Sequence, residues 1–179
     1  MDTNFICSIS TSTITQACYK NEDIVLCAPY SACSYAIMHN MRSFKKGESI
    51  IATDASSSYN YAVIVLKNRF ILGESVIAKD SYLAYRYARY FDIKFSEGES
   101  AIAKDPYYAY GYAKYILKDK FPEGEPVIAK DEYRSFRYAH EVLKEDFYIN
   151  DDLICKYDPL NYDPLNYDPL NQVNYKCLF

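Results

Sequence analysis

Tryptophan is absent, and histidine occurs only at His39 and His140. The six cysteines, Cys7, Cys18, Cys27, Cys33, Cys155 and Cys177, contain no Cys-x-x-Cys pair, so neither a zinc-ligand spacing nor a Cys–His nucleophile pattern appears. Glycine is scarce, and no Gly-x-x-x-x-Gly-Lys phosphate loop can be drawn from it. No stretch approaches the roughly 20 apolar residues that span a bilayer. Met1 to Lys20 has Asp2 where a secretory leader is basic, and its Ser and Thr residues break any apolar core. Excess positive charge is also missing: Lys and Arg total 20 against 24 Asp and Glu, a net charge of −4. That balance argues against wrapping duplex nucleic acid. The expectation is a cytoplasmic protein with reduced thiols and no membrane, metal or cofactor partner. A disulfide joining the two ends is the alternative state of its cysteines.

The chain of 179 residues is half hydrophobic, which suits one ordered domain rather than a disordered segment. Its abundance lies in tyrosine, 21 residues beside 9 phenylalanines. Repetition is the source. Gly47-Glu48, Gly73-Glu74, Gly98-Glu99 and Gly124-Glu125 are separated by 26, 25 and 26 residues, and they use four of the five glycines. Ile51, Ile77, Ile102 and Ile128 are equivalent, as are Asp54, Asp80, Asp105 and Asp131. Tyr61, Tyr87, Tyr112 and Tyr138 match and are each followed by alanine. Phe44, Phe70, Phe95, Phe121 and Phe147 close the pattern. Worn copies extend it: Asn21-Glu22 precedes Gly47 by 26 residues, and Asn150-Asp151 follows Gly124 by 26, with Ile154 in register with Ile128. The chain therefore divides into an N-terminal segment (1–20), a repeat array (21–156), a tail (157–171) and a C-terminal segment (172–179).

Each repeat predicts a helix after its Asp, which is a good N-cap, and Pro106 fits a first helical position. Counting the Asp as zero and turning about 100° per residue, positions +4, +8, +11 and +12 form one stripe. These are Ala109, Ala113, Ile116 and Leu117, or Ser135, Ala139, Val142 and Leu143. Tyrosines at +5 and +7 flank the stripe, with rings packed and hydroxyls expected to reach water. The half beginning at Gly-Glu allows one or two helical turns, and Pro126 suggests a helix start. The predicted fold is all-α: a short helical-repeat solenoid of about five units of 25–26 residues, each with one long and one short helix. A βα solenoid is the alternative, because Ile24 to Leu26, Ile50-Ile51 and Val76-Ile77 are apolar and largely β-branched.

Gly-Glu-Pro-Val-Ile-Ala-Lys-Asp (124–131), Asp-Pro-Tyr-Tyr-Ala-Tyr-Gly-Tyr-Ala-Lys (105–114), Leu117-Lys118 and Phe121-Pro122 together resemble a known short repeat. It is written GEPVIAKDPYYAYRYAKDVLKGRFPE and recurs in uncharacterised proteins of large DNA phages, giant viruses and some bacteria. The resemblance covers 47–148 well and 21–46 weakly. It implies a viral or phage source and an accessory role, and it carries over no functional residue. The first unit departs from the pattern, with Ala28 for the capping Asp and Cys33 for a tyrosine.

Tyr157 to Asn171 is Tyr-Asp-Pro-Leu-Asn three times over, a period that suits neither helix nor strand. It reads as a series of Asp-Pro turns of little structural weight, or as three copies of a linear motif gaining avidity.

No catalytic constellation is legible, and both histidines read as structural. Glu48, Glu74, Glu99 and Glu125 recur with the repeat, which suits turn and capping duty rather than an enzyme's unique acid–base pair. The outward positions carry Tyr82, Arg86, Arg89, Tyr107, Lys114, Tyr133, Arg134 and Arg137. Arg and Tyr are the residues that most often anchor protein interfaces. The expected function is a non-enzymatic protein-interaction module using this ridge. The alternatives are a nucleotide or single-stranded nucleic-acid binder, which would stack bases on the same rings, and a purely structural repeat protein.

Overall fold

The computed structural model describes residues 26–158. The chain forms two compact bodies, 1–83 and 84–179. In the first lie α1 (Pro29–Met38), α2 (Lys45–Ile51), α3 (Ala55–Asn60) continued by π1 (Tyr61–Leu66), and α4 (Ile71–Ile77). Helix α5 (Ser81–Phe91) starts there and runs into the second body. The second body adds α6 (Ser96–Ile102), α7 (Pro106–Tyr112) continued by π2 (Ala113–Leu117), α8 (Glu125–Ile128), and α9 (Glu132–Tyr138) continued by π3 (Ala139–Leu143). An antiparallel hairpin of β1 (Phe147–Ile149) and β2 (Asp152–Cys155) follows. The fold is mostly helical. The half-repeats containing Ile50-Ile51 and Val76-Ile77 are helices, not the strands of the βα alternative.

Local chemistry accounts for the helix starts. Asp54 accepts from the Ser57 N–H, Asp80 from Leu83, Asp105 from Tyr107 and Tyr108, and Asp131 from Arg134. Each bond satisfies a donor that the first helical turn leaves open. Ala28 offers no such bond to α1, as its side chain dictates. The +4 and +8 positions (Ser58, Ala62, Ala84, Ala88, Ala109, Ala113, Ser135 and Ala139) are wholly buried. The stripe fades beyond them: Ile116, Leu117, Val142 and Leu143 are only half-buried.

The Gly-Glu pair is not a turn. In α2, α4 and α6 it lies inside the short helix, and Gly124 is the N-cap of α8. No glycine has positive φ, so close approach explains the residue type. A Cβ on Gly73 would stand 2.5 Å from Ser58 Oγ, one on Gly98 2.9 Å from Ala84 Cβ, and one on Gly124 2.8 Å from Ala109 Cβ. The small +4 residue of a long helix therefore meets the glycine of the next short helix.

The +7 tyrosines correct the expectation that their hydroxyls reach water. Tyr61, Tyr87, Tyr112 and Tyr138 are wholly buried. Tyr112 accepts the Phe95 N–H at 2.9 Å and donates to Glu99 at 2.9 Å. Tyr138 does the same with Phe121 (2.8 Å) and Glu125 (2.9 Å), and Tyr61 with Phe44 and Glu48. The phenylalanine begins the short helix, where its N–H has no intrahelical partner, and the tyrosine supplies one. The recurring glutamates thus serve as acceptors for buried tyrosines.

The unequal period also has a structural cause. Each long helix ends at a left-handed residue: Asn40, Lys67, Asp92, Lys118 and Lys144, with φ between 49° and 58°. Asp92 lies 12 residues after its cap Asp80, and α5 is α-helical to its end. It closes with the Ile93 N–H bonded to the Ala88 carbonyl, a Schellman-type stop. Lys67, Lys118 and Lys144 lie 13 residues after Asp54, Asp105 and Asp131, and the helices before them end as π1, π2 and π3. The extra residue is absorbed as a π-bulge. The 25-residue spacing from Gly73 to Gly98 is the one whose long helix lacks that residue.

At the far end the expected half-repeat gives way to the hairpin. Phe147 keeps its place, buried edge-on against Tyr138 at 5.1 Å. Asn150 and Asp151 then both adopt positive φ, as a primed hairpin turn requires, so Ile154 lies in a strand. The start of the tail is fixed as well: the Tyr157 N–H donates to Asp146 and the Asp158 N–H to His140 Nε2. Residues 1–25 and 159–179, with Ile24, Val25, most of the pentapeptide series, Cys7, Cys18 and Cys177, lie outside the described residues. Cys27, Cys33 and Cys155 are free thiols. Burial, with a smaller push from Asp54, raises the Cys33 thiol to about 11.

Candidate tyrosine–arginine interface

The outward face of the second body is built from α5, α7–π2 and α9–π3. Positions +2, +6, +9 and +10 of a long helix fall opposite the buried +4/+8 stripe, which is why these side chains share one side. Arg86 and Arg89 are exposed on α5. The Arg89 guanidinium lies 4.6 Å from the Tyr115 ring centroid. Tyr107, 54% exposed, has Arg134 5.2 Å from its ring, and Arg134 is also tied to Asp131 by an ion pair of 2.7 Å. Arg137 lies 5.4 Å from the Tyr110 ring and 5.5 Å from that of Tyr133, and it donates to the Tyr133 hydroxyl. Lys114 stands 5.0 Å from the Tyr115 ring. Tyr82 is exposed on the part of α5 that belongs to the first body.

Two of these residues depart from the expected solvated ridge. Lys114 and Arg137 are half-buried, and both pair with Glu141, at 2.6 and 2.8 Å. Tyr110 donates to the same carboxylate. Burial, then the bond to Glu141, pushes the Tyr110 hydroxyl far above its ordinary range. Burial alone would lower the Arg137 guanidinium, but its bond to Glu141 leads the effects that hold it raised. Glu141 is therefore a buried-edge node joining α7–π2 to α9–π3. It interrupts the repeat: the +10 position is Ile64, Tyr90 and Tyr115 elsewhere. That break was the available signal, and a reading based on recurrence passes over it.

The rings missed at the sequence level are Tyr85, Tyr108, Tyr110 and Tyr115. Tyr85 stacks on Tyr108 (centroids 5.6 Å apart, 28° between planes) and meets Tyr107 edge-on at 6.5 Å. The fifth glycine makes this packing fit, since a Cβ on Gly111 would lie 2.8 Å from the Tyr85 hydroxyl.

The histidines stand apart from this face. His39 packs on Tyr35, with centroids 4.3 Å apart. His140 is buried, its Nδ1 bonded to the Phe136 carbonyl and its Nε2 accepting from Asp158. No three His, Cys, Asp or Glu side chains come together as a metal site among the described residues. No helix among them is long and apolar enough to cross a membrane. No protein-family model matches the chain, and no match to it is found among curated proteins or solved structures.

Proposed function

We propose that this protein is a non-enzymatic protein-interaction module, its 25–26-residue units stacked as a short helical solenoid that presents the tyrosine–arginine face to a partner. The observation that carries this reading is the seating of cations on tyrosine rings: Arg89 on Tyr115, Arg134 on Tyr107, and Arg137 on Tyr110 and Tyr133. Side chains already held by their neighbours lose less freedom when a partner arrives. The repeat resemblance favours an accessory role in a phage or viral setting, in the host cytoplasm. Single-stranded nucleic acid or a nucleotide is the second reading, supported by the exposed rings of Tyr107 and Tyr115. A purely structural role is the third.

Arg86→Glu with Arg89→Glu is the discriminating variant. Arg137 is unsuited to it, because a glutamate there would face Glu141 and destabilise the fold. The expected outcome of affinity purification is a protein captured by the wild type and lost by the double variant, with unchanged circular dichroism. Equal capture by both moves the binding site off this face. Excess absorbance at 260 nm in the purified protein would favour the nucleotide reading.

A further inference from the structure

We infer that the partner segment recognised by this face is an acidic peptide whose carboxylates seat at the α5 end, against Arg86 and Arg89. The inference rests on the protein-interaction reading above. Charge on the face is sorted. The α9–π3 end holds Arg134 and Arg137, but Asp131 and Glu141 accompany them at ion-pair distance. At the α5 end, Arg89 is exposed and has tyrosines for neighbours: the Tyr115 ring, and Tyr85, to which it hydrogen-bonds. Arg86 is exposed one turn earlier on the same helix face. The chain as a whole carries net charge −4, so this cationic end opposes the overall balance.

An arginine planted on aromatic rings keeps its fork of N–H donors free to point outward, which suits a carboxylate. A continuous polyanion fits less well. Its backbone would have to run on past Asp131 and Glu141, whereas a short acidic segment ends before them. The rings also favour a peptide. Arg89 covers one face of Tyr115, Arg134 covers one face of Tyr107, and Tyr85 and Tyr108 stack on each other, so the π surface that base stacking needs is already partly used.

The test is selection of a displayed random dodecapeptide library on the full-length chain, on Arg86→Glu/Arg89→Glu, and on Arg86→Gln/Arg89→Gln. The glutamine pair keeps the readout interpretable should charge reversal disturb folding. Wild type is expected to enrich sequences rich in Asp and Glu. The glutamine pair should bind the enriched peptides about tenfold more weakly or worse, and wild-type binding should fall as salt rises. Charge reversal should no longer enrich acidic sequences. Enrichment of neutral or basic peptides, no enrichment, or equal enrichment on all three proteins would overturn the inference, as would tighter binding of oligo-dT than of the selected peptides. If protein capture still depends on Arg86 and Arg89 while acidic peptides fail, only the charge assignment falls and the interaction reading stands.

Discussion

Tyr112 is a large aromatic at zero exposure whose hydroxyl both accepts from a backbone and donates to a carboxylate. Tyr112→Phe keeps the ring and deletes both bonds, leaving the Phe95 N–H and a Glu99 oxygen unpaired. The expected loss is about 1–3 kcal/mol, read by denaturant unfolding. Wild-type stability would mean that water replaces the hydroxyl without cost. The same chemistry sets an alkaline limit. Burial is the leading cause that raises the Tyr61 hydroxyl from its ordinary 10 to about 12, and Tyr85, Tyr110, Tyr112 and Tyr138 shift in the same direction. A raised folded-state value means stability is present in full below pH 10, where both states are protonated. It is lost as pH climbs from 10 through 12, where the unfolded chain deprotonates first. Melting temperature should therefore be insensitive to these groups below pH 10 and fall steeply above it, with tyrosinate absorbance rising together with unfolding. Tyrosinate appearing in the still-folded protein near pH 10 would contradict the buried hydrogen bonds. These residues were legible as a recurring position, but their hydroxyl roles were not. A sequence period reports which residues are equivalent, not which backbone N–H lies 17 residues back in chain and a bond length away in space.

Among the elements, caps and helix faces could be read directly, because Asp, Pro and the +4/+8 small residues act within one turn. The π segments could not, since a one-residue surplus looks the same in sequence whether a loop or a helix takes it up. The two outcomes separate experimentally. Deleting Ile64, an exposed residue of π1, should convert Asp54–Lys67 to the 12-residue length of Asp80–Asp92 and leave a folded protein melting within a few degrees of wild type. Deleting Tyr90, its exposed counterpart in α5, removes a residue the α-helix needs and should rotate the helix end by about 100°. Its melting temperature should drop severely. Comparable behaviour of the two deletions, followed by circular dichroism on heating, would refute the absorbed-residue account. The terminal hairpin escaped the sequence reading for a related reason: Asn150-Asp151 occupies the Gly-Glu register, while its tolerance of left-handed φ selects a turn.

At the scale of the whole molecule, the period predicts that units are removable. Excising 99–124 places Tyr138 17 residues after Phe95, the separation found in each Tyr–Phe pair, and leaves Glu125 13 residues before it. The shortened chain should stay folded and helical by circular dichroism, with a lower melting temperature because one interface is gone. Loss of helical signal would show that the units do not act as exchangeable parts.

The close contact of a small +4 residue with the next glycine has a genetic counterpart. Ser58 with Gly73, Ala84 with Gly98 and Ala109 with Gly124 are joints of the same shape, so the end of one unit fits the beginning of any other. Near-identical coding blocks invite unequal recombination, and here every in-register crossover rejoins a matching small residue and glycine. Gene copies gaining or losing one block would encode working chains of different length. Populations of this gene should accordingly differ in block number before they differ at the joints.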